Sequence, residues 1–216
     1  MPAARDRRLS PLSGTDMIPG APNVARPTAT FFGGVVPASK QDEQLAYGIG
    51  AALGAAGVVL QHGGYNGLME QAARGAAAEG ARVIAVTLVD VDWGGFNPYV
   101  TDAVRLPTMG ERLHRFLDGT DLVVAMGGGV GTLHELTAAL WYSGNIRAVP
   151  VWFTGKTARR LSEFLKTERW VFESATRPLG FLREIPDLAT FERELFTLLR
   201  ARLGHETLDT ALTRTR

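Results

Sequence analysis

From Thr28 onward the chain alternates short apolar runs that end in glycine with longer stretches whose apolar positions recur every three or four residues. That rhythm predicts successive βαβ units, because a parallel sheet buried on both faces needs continuous apolar strands and crossover helices. Ala29-Thr30-Phe31-Phe32 reads as a first strand ending at Gly33-Gly34, followed by a helix from Gln41 to Ala56 closed by Gly57. Val58 to Gln61 is a second strand stopped by Gly63-Gly64, and Asn66 to Glu79 a helix with Leu68, Met69, Ala72, Ala73 and Ala76 on its packing side. Arg82 to Leu88 reads as a third strand and Asp90 to Thr101 as a loop covering a site. Thr108 to Asp118 reads as a helix, and Asp121 to Met126 as a buried central strand running into Gly127-Gly128-Gly129-Val130-Gly131-Thr132. Leu133, Leu136 and Leu140 continue as one face of the next helix. Ala148 to Phe153 reads as a strand that Pro150 places near an edge, since proline cannot donate to a ladder. Leu161 to Phe172 and Thr190 to Leu203 read as two closing helices.

The fold class that follows is α/β, a Rossmann-like three-layer sandwich with a mainly parallel sheet flanked by helices. At 216 residues the chain suits one domain of the usual ~100–200 residues. Residues 28–204 are assigned to it, with 1–27 expected as a disordered tail and 205–216 as a frayed one, the first carrying Arg5, Arg7, Arg8 and Arg26 among Pro, Gly and Ser. The formal charge is +1, with no basic run to mark a nucleic-acid surface. The longest apolar stretch, Ile49 to Leu60, falls short of the ~20 residues that span a bilayer, so neither nucleic acid nor membrane is an expected partner and a cytoplasmic location is expected. Cysteine is absent and His62, His114, His134 and His205 lack ligand spacing, so no metal is expected.

The candidate chemistry lies at the strand-to-helix turns. Glycines in the 127–132 stretch let an oxyanion approach the backbone, where successive N–H groups and the helix dipole favour negative charge. No lysine precedes Thr132, so the turn is not a Walker A loop, and its glycines do not follow the spaced dinucleotide pattern. A tight turn that needs glycine for conformation alone is the competing reading. Thr132 and Glu135 have capping-box spacing, which gives Glu135 a structural reading beside a catalytic one. Arg112 interrupts an apolar helix face, either as a snorkelling surface residue or as a group directed at a ligand. Gly63-Gly64-Tyr65-Asn66-Gly67-Leu68-Met69 is a second glycine-rich turn entering a helix, and Gly33-Gly34 a third, weaker one.

These residues resemble the LOG family, named for the lonely-guy phenotype and labelled as possible lysine decarboxylases. The resemblance runs from Thr28 to Phe172 and rests on three stretches in order: Gly63 to Met69, Met109-Gly110-Glu111-Arg112, and Gly127 to Glu135. It implies a homodimeric phosphoribohydrolase that cleaves the N-glycosidic bond of a nucleoside 5′-monophosphate, a cytokinin ribotide or an AMP-like one, to free base and ribose 5-phosphate. By the same resemblance Arg112 and Glu135 form the catalytic pair. Gly128, Gly129, Val130, Gly131 and Thr132 bind phosphate, with Gly33, Gly34, Gly63, Gly64, Asn66 and Met109 lining the substrate site. No cofactor is implied, since no lysine stands where a Schiff base could form. The segment Leu140-Trp141-Tyr142 is a candidate dimer contact. The family's proline is Gly127 here, and its usual His and Lys beside the Glu-Arg pair are Gly110 and Leu113. A glycine at the first position is also similar to molybdenum-cofactor carrier proteins, which implies a non-catalytic binding module as the alternative.

Overall fold

The computed structural model describes residues 26–35, 38–91 and 94–213, with side chains described up to residue 202. The tail assigned to residues 1–27 falls almost wholly outside the described residues, as does Trp93 of the covering loop. Seven parallel strands form one sheet in the order β4-β3-β2-β1-β5-β6-β7. They are β1 (Thr28–Phe32), β2 (Val59–His62), β3 (Val83–Leu88), β4 (Asp102–Leu106), β5 (Leu122–Ala125), β6 (Val151–Thr154) and β7 (Leu182–Ile185). The helices are α1 (Lys40–Ala55), α2 (Leu68–Ala78), α3 (Met109–Asp118), α4 (Val130–Asn145), α5 (Gly155–Thr167) and α6 (Leu188–Thr213).

The expected α/β Rossmann-like sandwich is what forms. Alternate residues of each central strand enter two different cores. Ala29, Phe31, Leu60, Val83, Leu122 and Val124 pack with α1, α2 and α6. Phe32, Val59, Ile84, Val86, Val123 and Ala125 pack with α3, α4 and α5. Burial on both faces removes the period-two alternation, which is why these strands read as unbroken apolar runs. On one side α1 and α2 approach closely enough that a Cβ at Gly50 would stand 1.9 Å from the Ala72 carbonyl oxygen.

Five local expectations change. Two strands were missed: β4, an edge strand with alternating exposure that includes Arg105, and β7, in which Arg183 and Glu184 are exposed. Edge strands need only one apolar face, so their sequences are too polar to announce themselves. β6 is not an edge strand: Pro150 stands just before it, where its carbonyl accepts from Val123 N–H and its missing donor costs nothing. α5 begins at Gly155 and ends at Thr167 instead of running from Leu161 to Phe172, because Gly155 (φ 75°) turns the chain directly from β6 into the helix. The last helix continues through Gly204 to Thr213, past the point where glycine was expected to end it.

Candidate active site at the strand switch

The chain winds outward from β1 through β2 and β3 to β4, then crosses back to place β5 on the other side of β1. The carboxyl ends of β1 and β5 thus flank the switch point, where ligands enter open α/β sheets. Gly33-Gly34 leaves one strand and Gly127-Gly128-Gly129 the other. Gly34 N–H donates to the Gly127 carbonyl at 2.9 Å, and a Cβ on Gly34 would lie 2.4 Å from Gly128 Cα. On Gly128 it would lie 2.1 Å from Thr132 Oγ1. Gly34 is required because backbone meets backbone there, and Gly128 because the Thr132 side chain and the Gly34 amide crowd the same space. At Gly131 a Cβ would meet open space.

Gly129 is the N-cap of α4 and has no side chain to offer its first turn. The Thr132 and Glu135 spacing does not form a capping box here, because the helix starts at Val130 and Thr132 is already inside it. The box forms instead in α3, between Thr108 and Glu111. The N–H groups of Val130, Gly131 and Thr132 therefore find no acceptor among the described residues, which leaves the positive end of a 16-residue helix open at the sheet edge.

Glu135, one turn further on, points inward. Its Oε1 lies 2.7 Å from Arg112 Nη1, with the two side chains only 12% and 6% exposed. Arg112 is a core residue and not a surface snorkeler: Nε donates to the Val86 carbonyl at 3.0 Å and the guanidinium lies over the Phe116 ring, 4.7 Å from its centroid. Nη2 faces Gly63, where a Cβ would come within 3.3 Å of it and 3.2 Å of Met69 Sδ. Burial pushes the Glu135 carboxyl above the ordinary glutamate value, and the adjacent Arg112 opposes that shift.

The helix that carries Arg112 is pinned at its far end. The Phe116 carbonyl accepts from Thr30 Oγ1 at 2.8 Å and Gln61 Nε2 at 3.0 Å. Arg147 Nη2 donates to the carbonyls of Leu117, Asp118 and Thr120 at 2.7–3.0 Å, satisfying groups that a helix end leaves open.

The second glycine turn behaves differently. Gly67 (φ 75°) caps α2, but the Leu68 N–H is already occupied by the Gly34 carbonyl at 3.2 Å. His62 Nδ1 accepts from Gly64 N–H at 2.8 Å, and Asn97 Nδ2 donates to the carbonyls of Gly64 and Tyr65. Burial lowers the His62 pKa to about 4, so the ring is neutral. Of the residues expected at the site, Arg112 and Glu135 meet directly. Gly33, Gly34, Gly63, Gly64 and Gly128 to Thr132 lie along the same carboxyl edge, while Asn66 is exposed beside α2 and Met109, 38% exposed, opens α3. Val86, whose carbonyl orients Arg112, was missed, since a main-chain acceptor leaves no mark in a sequence. Phe116 was legible as the apolar residue four positions after Arg112 on the same helix face. Among the described residues no group of three His, Asp or Glu side chains is placed to hold a metal, and no helix is long and apolar enough to cross a membrane.

The fold and the strand switch define an α/β Rossmann-like protein with a glycine-turn helix terminus beside a buried Arg–Glu pair. The chain belongs to the SLOG cluster4 family, whose match spans residues 27–177, and so to the LOG-like superfamily. An uncharacterized protein of Archaeoglobus fulgidus is 31% identical over 110 residues, 50% of this chain and 72% of that protein. Among solved structures, the molybdenum cofactor carrier protein of Chlamydomonas reinhardtii superposes with a TM-score of 0.63 at 20% identity, over 81% of this chain and 99% of the other. The molybdenum cofactor binding protein of Rippkaea orientalis gives 0.63 at 22% identity, over 81% and 98%. The structural-genomics target TM1055 gives 0.58 at 21%, over 80% and 98%. These structures share the fold.

Proposed function

We propose that this protein is a phosphoribohydrolase that cleaves the N-glycosidic bond of a nucleoside 5′-monophosphate, with the phosphate on the first turn of α4 and Arg112 and Glu135 at the reacting sugar. The observation that carries the reading is the buried Arg112–Glu135 pair, 2.7 Å apart and one helical turn from the open amides of Val130 to Thr132. A structural ion pair in this position would be expensive to desolvate and easily replaced by apolar residues. As chemistry it has a use. Cleavage passes through an oxocarbenium-like state, so the Glu135 carboxylate stabilises positive charge developing at the anomeric carbon and takes a proton from the attacking water. Arg112 holds that carboxylate in place through Nη1 and presents Nη2 toward the Gly63 side of the cleft, where a substrate hydroxyl or base nitrogen can accept from it.

The second reading is a carrier or binding protein for a nucleotide or a molybdenum cofactor, with no bond broken. It is favoured by Gly127, which stands where the hydrolase signature has proline, and by the carrier proteins among the fold's neighbours. In that case the α4 turn holds a phosphate in the same way, and Glu135 serves only to neutralise Arg112. Incubating the protein with AMP and with an isopentenyl-AMP type ribotide, and measuring free base, separates the two. Release by the wild type that is lost in Glu135→Ala and Arg112→Ala, both still folded, supports the hydrolase. Tight binding of a phosphorylated ligand without base release from any 5′-monophosphate returns the protein to the carrier class.

A further inference from the structure

A second helix terminus adjoins the anion turn of α4. β6 lies beside β5, with Phe153 paired to Ala125, so the exit from β6 into α5 stands next to the exit from β5 into α4. That exit reads Thr154-Gly155-Lys156-Thr157, and Gly155 takes a φ of 75° to turn strand directly into helix. The two turns touch. A Cβ on Gly127 would stand 2.9 Å from Thr157 Cβ and 3.3 Å from its Oγ1. Thr157 thus fills the space that any residue with a Cβ at position 127, proline included, would need. The glycine that departs from the family's proline admits a hydroxyl of α5 to the start of the α4 turn.

The α5 terminus draws no anion from its own sequence. Its first turn holds no acidic residue, and no side chain among the described residues accepts from its leading amides. Thr154 is the N-cap, whose side chain stands beside those amides and ordinarily accepts from one. Here it makes no such bond: the residue is wholly buried and its Oγ1 has no hydrogen-bond partner. A buried hydroxyl left in that state costs free energy until something reaches it. Lys156 and Thr157 are exposed on the same turn, and Lys156 forms no ion pair among the described residues. The Asp42 carboxylate comes close from the α1 side, with Oδ1 3.1 Å from the place of a Gly155 Cβ, while its Oδ2 receives the Ser39 hydroxyl.

We propose that the α5 terminus is a second phosphate position of the same site, so that the preferred ligand carries two linked phosphates, one on the first turn of α4 and the other on Lys156, the Thr157 hydroxyl and the leading amides of α5. The inference rests on the reading that α4 seats a phosphate, and it extends the ligand from a nucleoside 5′-monophosphate to the 5′-diphosphate. Neighbouring strands lie ~4.8 Å apart, a step that two linked phosphates cover. The strand order gives the ligand its direction. Arg112 Nη2 faces Gly63 at the end of β2, on one side of the α4 turn, and α5 follows β6, on the other. The sugar and the second phosphate therefore leave the first phosphate in opposite directions. The positive ends of two helices and one ammonium group then meet the added charge, with Thr157 donating a directed hydrogen bond and Lys156 acting as a point charge.

Calorimetric titration of the full chain with AMP and ADP, with no divalent cation added, tests this. ADP is expected to bind about 10-fold more tightly than AMP, or better, and pyrophosphate to bind more tightly than inorganic phosphate. Lys156→Gln and Thr157→Val, which nearly conserve side-chain size, are each expected to remove most of the ADP advantage. Lys166→Gln, in the last turn of the same helix, is the charge control expected to keep it. ADP that binds no tighter than AMP overturns the proposal and leaves the α4 reading standing. An ADP advantage that survives in both Lys156→Gln and Thr157→Val overturns it as well, since the second phosphate then lies elsewhere. If neither nucleotide nor pyrophosphate binds, the phosphate reading of α4 falls and this inference falls with it.

Discussion

The turns that open α2 and α4 look alike as sequence, each a glycine-rich exit from a buried strand into a helix, and the structure ties them down differently. The α2 turn is tied to neighbouring segments at several points. His62 takes the Gly64 amide, Asn97 takes the Gly64 and Tyr65 carbonyls, and the Gly34 carbonyl takes the first amide of the helix. The α4 turn is rigid below, where Gly34 and Gly128 touch, and open above, where its amides have no acceptor among the described residues. A glycine cluster therefore marks close backbone approach; whether the approaching group is another segment of chain or a ligand depends on what else reaches the helix terminus.

The contrast can be broken or sharpened by substitution. The largest effect is expected from Glu135→Gln, which keeps the shape of the α4 side and removes its charge. Base release should fall by about 10³-fold, equivalent to about 4 kcal/mol of transition-state stabilisation, with nucleotide binding measured by calorimetry changed far less. A loss confined to binding would sink the catalytic assignment.

Next comes the shared floor of the α4 turn. Gly128→Ala drives a methyl group into Thr132 and into the Gly34 backbone, and should cost about 3 kcal/mol in urea unfolding. Gly34→Ala should behave alike. An alanine tolerated at either position would mean that the contact between the two turns is looser than described.

The α2 turn should be sensitive to acid. With the His62 pKa lowered to about 4 from an ordinary 6.5, the unfolded chain takes up its proton first as pH falls. Stability is fully present above pH 6.5 and is lost as pH falls toward 4, by about 3 kcal/mol. Glu135 works with the opposite sign: its raised pKa makes the native state bind the proton more tightly, so its contribution falls as pH rises above the ordinary glutamate value. The pH slope of the urea midpoint between 6.5 and 4 should flatten in His62→Asn and persist in Glu135→Gln. A slope unaltered in His62→Asn would assign the acid sensitivity to other groups. If Glu135 acts as proposed, the same raised pKa should put the acid limb of base release at a higher pH than an ordinary glutamate would give, which a pH profile of kcat/KM reads directly.

The smallest effect belongs to the open side of the α4 turn. Gly131→Ala meets no atom within 4 Å and gains helix propensity, so stability should rise by less than ~1 kcal/mol. If a phosphate is seated against that residue, its affinity for inorganic phosphate should nevertheless drop. Unchanged affinity would move the anion away from Gly131.

Much of this was readable from residue order. The central strands announced themselves as apolar runs because both faces of a parallel sheet are buried, and the glycines at their ends marked the turns. Arg112 could be singled out as a polar group interrupting an apolar helix face and Glu135 by its spacing from Thr132 in the glycine turn, and the family resemblance linked them. What residue order left open was the direction each side chain takes. The capping-box spacing of Thr132 and Glu135 is as good as that of Thr108 and Glu111, yet only the second pair forms one, because the helix register differs by three residues. The edge strands β4 and β7 were illegible because a half-covered strand need not be apolar.

The sequence by itself determined the class of fold, the position of its turns and the residue types able to do chemistry, since periodicity and glycine placement are local properties of the chain. Tertiary structure alone decided that α3 and α4, joined through a buried strand, bring Arg112 against Glu135, 23 positions further along the chain. It decided too that of two similar glycine turns one has its first helical amide taken by the Gly34 carbonyl, while the other leaves that amide open. Both outcomes rest on which elements become neighbours in the sheet, and a contact between distant segments has no local signature to be read.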